Sequence, residues 1–161
     1  MVLVETSYAR TPDGATLAVQ VTGPASGPPL LLLPGQANSH RWWDGLRDAL
    51  SVVHRTITFD YRGTGDTEAP TEGWSTASFA ADAVTVLEHL GIATADVYGT
   101  SMGGRVAQMI AIDHPEAVGH LVLGCSSPGG PHAVERSNEV RRRLADPEGN
   151  LFCVAEPPPA V

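Results

Sequence analysis

The fold of this chain is decided by residues 97–104, which read VYGTSMGG. A β-branched and an aromatic residue open this stretch, and an amphipathic segment over residues 102–112 follows it. Residues 99–103 match the pattern G-x-S-x-G, which between a strand and a helix places a serine on a sharp, strained turn. This context favours an exposed Ser101 hydroxyl above the end of a strand. The alternative is a glycine-rich turn with an incidental serine.

The residue types around Ser101 suit acyl-transfer chemistry. Gly99 and Gly103 let neighbouring segments approach where a side chain would clash. The backbone N–H of Met102 is expected at the start of a helix, where the helix dipole favours negative charge. Such an N–H can stabilise the oxyanion that forms when a serine attacks a carbonyl group.

Apolar runs on both sides of this stretch predict further strands. Residues 30–33 are four leucines, residues 55–59 alternate in polarity, and residues 121–123 form a short run that stops at Gly124. Residues 2–8 and 16–21 flank a Pro-Asp-Gly turn signal and predict a hairpin.

Helical spacing fills the gaps between the strands. One helix is predicted after a Ser39 cap, one after a Thr76 cap with Gly91 at its end, and one over residues 102–112 before Pro115. Alternating strands and helices predict a three-layer α/β/α fold with a mostly parallel sheet.

The first of these helices carries an apolar stripe. Trp42, Leu46 and Leu50 recur at i, i+4 and i+8, so this side is expected to face the sheet. Trp42 and the adjacent Trp43 could line an acyl pocket, although one of the two is more typical of a helix core residue.

Composition excludes several classes of protein. The 161 residues suffice for one domain, and 10 basic against 18 acidic residues give a net charge of −8. Only Arg141, Arg142 and Arg143 cluster, so nucleic acid is not expected as a partner. No apolar run, residues 30–33 included, is long enough to span a membrane, and residues 1–10 do not resemble a signal peptide. We therefore expect a cytoplasmic protein without membrane association.

The two cysteines, Cys125 and Cys153, predict neither a disulfide framework nor a metal site.

Three motifs together resemble the N-terminal part of the α/β-hydrolase family, in its serine esterase, lactonase and cofactor-free haloperoxidase branch. Residues 31–36 (LLLPGQ) resemble the oxyanion loop after the third strand, with Pro34 where the family more usually has histidine. Residues 60–65 (DYRGTG) resemble the D-x-R-G-x-G loop after the fourth strand, and residues 100–104 (TSMGG) resemble the nucleophile elbow. In order and spacing the motifs cover about residues 1–130.

The resemblance implies a role for each matching residue. Ser101 is the implied nucleophile, and the backbone N–H groups of Gln36 and Met102 are the implied oxyanion hole. Asp60 and Arg62 are expected to hold the loops beside the site; the alternative for them is an ion pair at the surface. The supporting positions are Gly35, Asp60, Arg62, Gly99 and Gly103. The family resemblance implies no metal and no cofactor, and a small-molecule ester or lactone as substrate.

Perhydrolysis of a carboxylic acid, which uses the same nucleophile, is not distinguished from ester hydrolysis by these motifs.

The remaining catalytic groups of the family lie on loops after later strands. We expect residues 1–125 to form a core of six strands that lacks the last strands, as in a truncated or frameshifted product, and residues 126–161 to begin a cap region with a Pro-rich tail. His40 could reach the mouth of the pocket, and His132 could approach the site. Asp146 and Glu148 lie in the wrong part of the fold to serve as the acid.

Two functions follow from these expectations. The first is a serine hydrolase, impaired because its acid and histidine are missing. The second is a non-catalytic fragment that self-associates through the exposed edge of the sixth strand, or that needs a partner chain to complete the fold.

Overall fold

The computed structural model describes residues 4–127. Its strands and α-helices within this range are β1 (Glu5–Arg10), β2 (Thr16–Thr22), β3 (Pro29–Leu33), α1 (Asp44–Leu50), β4 (Arg55–Phe59), α2 (Thr76–His89), β5 (Ala95–Thr100), α3 (Met102–Asp113) and β6 (Val118–Gly124). Short 3₁₀ turns at His40–Trp43 and Pro115–Ala117 precede α1 and β6. His132, Asp146, Glu148, Cys153, the arginine cluster and the Pro-rich tail lie outside the described residues.

The strands form one sheet in the order β1-β2-β4-β3-β5-β6. β2 runs antiparallel to both of its neighbours, β1 and β4, whereas β4, β3, β5 and β6 are parallel to one another. Leu31 of β3 lies beside Ile57 of β4 on one side and Val97 of β5 on the other. The predicted hairpin and the mostly parallel sheet are therefore confirmed, and the carboxyl ends of β3, β4 and β5 meet at one edge.

Helices cover both faces of the sheet. The larger core lies under α2 and α3; its large side chains include Leu31, Leu33, Ile57, Phe59, Phe79, Val86, Leu87, Val106 and Ile110. On the other face, Leu30 and Leu32 pack against Trp43, just before α1. Alternate leucines of β3 thus point into different cores, as the pleat of a strand requires. A continuous apolar run is what a strand buried on both faces needs.

The predicted stripe on the first helix is wrong at Trp42 and Leu46 and correct at Leu50, which packs against the smaller core. Trp42 and Leu46 are 55% and 42% exposed, whereas Trp43 and Arg47 are buried. Ser39 does act as a cap, but the segment that it caps begins as a 3₁₀ turn with about three residues per turn. The tighter turn rotates the side chains, so a stripe counted at α-helical spacing from Trp42 misses the sheet at its first two positions.

The cap of α2 lies one residue before the predicted one. Ser75, not Thr76, accepts a hydrogen bond from the Ser78 backbone N–H, and the Ser78 hydroxyl accepts one from the Ser75 N–H. This reciprocal pair satisfies two backbone donors that the helix itself cannot. The predicted end is correct, because Gly91 follows α2 with a φ of +65°.

Strand β6 has apolar residues exposed on both faces. Within residues 4–127 it pairs only with β5, and Leu121, Val122 and Leu123 are 38%, 55% and 44% exposed. No helix in this part of the chain is long and apolar enough to cross a membrane.

Candidate active site

Ser101 occupies the turn between β5 and α3. Its φ of +54° and ψ of −116° place a non-glycine residue in the left-handed region, which costs about 1–3 kcal/mol. Two contacts hold this backbone: the Ser101 N–H donates to the Gly124 carbonyl at 2.9 Å, and the Ser101 carbonyl accepts from the Ser126 hydroxyl at 2.9 Å. The surrounding strands therefore fix a conformation that the chain alone would avoid.

Close backbone contacts explain the glycines that flank Ser101. A Cβ at Gly103 would lie 2.1 Å from the Leu33 carbonyl oxygen, and a Cβ at Gly99 would lie 2.3 Å from the Gly103 carbonyl oxygen. Real Cβ atoms do not approach so closely. The first turn of α3 can thus pack on the end of β3 only if residue 103 lacks a side chain, and on β5 only if residue 99 lacks one.

The loop after β3 also lies against Ser101. We call residues 35–40 the β3 loop. A Cβ at Gly35 would lie 3.6 Å from the Ser101 Cβ and 3.9 Å from its hydroxyl oxygen. Gln36 is the next residue of this loop, and Met102 is the first residue of α3, where backbone N–H groups have no partner within the helix. The fold therefore brings the loop of Gln36 and the helix start of Met102 to Ser101.

The Asp60 carboxylate lies at the end of β4 and is wholly buried. Its Oδ1 accepts the His40 backbone N–H at 2.7 Å and lies 2.9 Å from the His40 Nδ1, while its Oδ2 accepts the Asp66 N–H at 3.1 Å. The contact between His40 and Asp60 was not predicted from the sequence. Adjacent placement of β3 and β4 was the missing information, because it brings the loops after both strands together.

Arg62 lies near Asp60 in sequence but bonds to other carboxylates. Its guanidinium group contacts Asp82 of α2 and Asp13 of the β1–β2 turn. Hydrogen bonds from Arg62, and then from Thr11, hold the pKa of the Asp13 carboxyl well below its usual range. Arg62 therefore ties the hairpin to α2.

The two tryptophans have different environments. The Trp43 ring packs against Tyr98 of β5 with ring centroids 5.3 Å apart, within the smaller core. Trp42 is exposed. Trp43 is therefore the core residue of the pair.

The described part of the chain holds no histidine bonded to the Ser101 hydroxyl and no group of three or more potential metal ligands. His40, at the end of the β3 loop, pairs with Asp60, which follows β4.

Comparisons with known proteins agree with this architecture. The sequence profile of the alpha/beta hydrolase fold matches residues 28–151. A structure of a hydrolase from Pseudomonas aeruginosa is 32% identical, with a TM-score of 0.75 over 79% of this chain and 48% of that chain. The esterase RhEst1 from Rhodococcus is 34% identical, with a TM-score of 0.69 over 75% of this chain and 46% of that chain.

A curated relative from Mycobacterium tuberculosis, provisionally named a non-heme bromoperoxidase, is 38% identical over 75% of this chain and 47% of its own length. The chain thus spans about half the length of the relatives it matches. Since the family profile matches well over half of the chain and the fold has the expected strand order, the chain belongs to the alpha/beta hydrolase family.

Proposed function

We propose that this chain is a serine hydrolase that acts on a carboxylic ester or lactone, with Ser101 as its nucleophile. The observation that carries the proposal is the backbone of Ser101, whose φ of +54° is maintained between β5 and α3. Strained backbone that the surrounding structure maintains is typical of functional sites. The esterase RhEst1, which is 34% identical, supports the substrate class.

In this reaction the Ser101 oxygen attacks the carbonyl carbon of the substrate and gives up its proton to a base. The new C–O bond displaces the carbonyl electron pair onto oxygen, and the backbone N–H groups of Gln36 and Met102 stabilise that negative charge. The intermediate then expels the alcohol, which takes up a proton. Water attacks the acyl-enzyme and releases the acid, regenerating Ser101.

The reaction requires a base that accepts the Ser101 proton. No histidine within residues 4–127 is bonded to the Ser101 hydroxyl, and the family resemblance places the acid and histidine after later strands. Loss of the base costs about 10⁶ in turnover in a serine hydrolase, and the oxyanion hole with binding retains about 10³–10⁴ over water. Without a base bonded to Ser101, this chain is expected to hydrolyse an ester slowly, at a rate above that in water.

Hydrolysis of p-nitrophenyl acetate tests this function. The wild-type chain and Ser101→Ala are compared at equal concentration and oligomeric state, and release of nitrophenolate is followed. We expect both proteins to release nitrophenolate above background, because the oxyanion hole acts without Ser101, and only the wild type to carry an acetyl group on Ser101 by mass spectrometry of the quenched reaction. A wild-type chain without this acetyl group, or the same acetylation in Ser101→Ala, would contradict the assignment of Ser101.

A second candidate function is assembly through β6, with a second copy of the chain as the partner. The exposed Leu121, Val122 and Leu123 favour it, because an unpaired apolar edge can pair with an identical edge about a two-fold axis. Sedimentation velocity should then show a dimer for the wild type and a monomer for Val122→Lys. A wild-type monomer at micromolar concentration would exclude this assembly.

A further inference from the structure

We propose that His40 is a positioning residue, which holds the β3 loop in place through the Asp60 carboxylate. The proposal rests on the function proposed above, because the loop is useful only if Ser101 reacts. His40 itself does not touch the reacting atoms in this proposal. It acts through the backbone of Gln36.

The Asp60 carboxylate and the His40 ring are in direct contact. Asp60 is fully buried, and a buried carboxylate requires hydrogen-bond donors. His40 supplies two, from its backbone N–H at 2.7 Å and from its ring Nδ1 at 2.9 Å. Because an ionised carboxylate only accepts, the His40 ring carries its proton on Nδ1. Bonds to an ionised group are about twice as strong as neutral ones.

Further hydrogen bonds hold Asp60 itself in place. The Asp60 carbonyl accepts from the Thr67 hydroxyl at 2.6 Å, and that hydroxyl accepts the Ala18 backbone N–H of β2 at 2.9 Å. The Asp66 N–H binds the same carboxylate as His40. Asp60 is thus fixed to the sheet on one side and to the following loop on the other.

The middle of the β3 loop is exposed to solvent. Gln36 and Ala37 are exposed, and Ala37 has a φ of +60°, which a residue with a side chain adopts at a cost. Gly35, at the start of the loop, lies against Ser101, and His40, at its end, is bound to Asp60. Packing does little to fix the exposed residues between these two points, so the bond at His40 restricts the position of the Gln36 N–H.

The position of the Gln36 N–H determines how well it stabilises the oxyanion. An oxyanion donor must lie about 2.7–3.1 Å from the developing charge, and loss of one donor costs about 10²–10³ in rate. If the loop shifts, the donor remains present but is misplaced. We therefore expect loss of the His40 ring to slow the covalent step by about 10- to 100-fold, less than complete loss of a donor.

The test measures the rate constant for covalent reaction of the full chain with a fluorophosphonate probe. The Ser101 oxygen forms a bond to phosphorus, the P–F bond breaks, fluoride leaves, and the hydroxyl proton passes to solvent. The phosphoryl oxygen occupies the oxyanion position, so the rate reports on the Gln36 and Met102 donors.

Two substitutions separate the hydrogen bond from the bulk of the ring. His40→Leu removes the donor and is expected to slow labelling by about 10- to 100-fold, whereas His40→Asn keeps an N–H near the Nδ1 position and is expected to retain most of the rate. His40→Gln, whose amide lies one bond further out, replaces His40→Leu if that variant does not fold. Melting temperatures confirm that each labelled variant is folded.

His54 provides the matched control. Its Nδ1 lies 3.2 Å from the Leu50 carbonyl oxygen. His54 precedes the first residue of β4, whereas Asp60 follows the last residue of that strand. His54→Leu also removes a ring hydrogen bond, but away from the β3 loop, and should label at the wild-type rate.

Each outcome is decisive. Equal rates for wild type and His40→Leu would overturn the role of His40 and leave the function of Ser101 intact. Equal slowing by His40→Leu and His40→Asn would also overturn it, because the hydrogen bond would not be the cause. A wild-type chain that does not label at Ser101 would overturn the proposed function and this inference together.

Discussion

The turn at Ser101 and the β3 loop lie side by side, but different forces hold them. The turn is fixed by backbone packing, since a Cβ at Gly103 would meet the Leu33 carbonyl oxygen at 2.1 Å. The β3 loop is exposed at Gln36 and Ala37 and is anchored by His40 bonding to Asp60.

Because of this difference, substitutions in the two regions are expected to differ in whether they change the free energy of unfolding or the reaction rate. Atoms added at the turn collide with backbone that cannot move without a large cost. Substitutions that add atoms there are therefore expected to lower the free energy of unfolding. The exposed residues of the β3 loop lie outside the core, so substitutions of Gln36 and Ala37 are expected to change the reaction rate more than the stability.

Gly103→Ala should give the largest change in stability. The new Cβ would lie 2.1 Å from the Leu33 and 2.5 Å from the Pro34 carbonyl oxygen, so we expect a loss of about 3 kcal/mol in the free energy of unfolding. Urea denaturation measures it. Gly45→Ala in α1 is the control, because a Cβ there has no neighbour within 4 Å, and we expect a gain of about 0.5–1 kcal/mol. Equal effects at Gly103 and Gly45 would refute the packing argument.

Ser101→Gly should change stability and function in opposite directions. Glycine adopts the φ of +54° freely, so relief of strain is expected to raise the free energy of unfolding by about 1 kcal/mol, net of the greater entropy of the unfolded chain. Labelling by the fluorophosphonate should disappear. The Ser101→Ala variant, which keeps the strain, should show no such gain; the same gain in both variants would mean that the turn is not strained.

Ala37→Gly should have a smaller effect on stability than Ser101→Gly. Relief of the left-handed backbone and the greater entropy of the unfolded chain nearly cancel at an exposed site, so we expect a change within about 0.5 kcal/mol. The rate of labelling should fall a few-fold, because glycine lets the β3 loop sample more conformations. Thermal unfolding and labelling of the same samples test both statements. A large loss of stability would show that the loop is held by packing.

Asp13→Asn, in the turn between β1 and β2, should have the smallest effect at neutral pH. The pKa of Asp13 is lowered in the folded chain by hydrogen bonds from Arg62 and Thr11, so its contribution is present above its unfolded pKa of about 4 and is lost as pH falls below that value. Because Asp13 is exposed, the contribution is small. Melting temperatures at pH 7 and pH 3 should differ less for Asp13→Asn than for the wild type; an identical pH dependence would exclude this role.

The sequence predicts the features that depend on short stretches of chain. The turn at Ser101, the all-leucine strand β3 and the end of α2 at Gly91 each follow from neighbouring residues. The family profile and the parallel sheet confirm the fold class that these stretches indicated.

Features that depend on strand order could not be read from the sequence. His40 and Asp60 are 20 residues apart, and nothing in their spacing shows that β3 and β4 are neighbours. The partners of Arg62 were missed for the same reason, since Asp13 and Asp82 belong to separate elements. The buried side of α1 was assigned wrongly because a 3₁₀ turn at its start has a different period.

The central claim is that Ser101 is the nucleophile, and peptide mapping by mass spectrometry after fluorophosphonate labelling tests it most directly. We predict that the wild-type chain carries one phosphonyl group, on the peptide that contains Ser101, and that Ser101→Ala carries none. An adduct on another residue, or the same adduct yield in Ser101→Ala, would contradict the account.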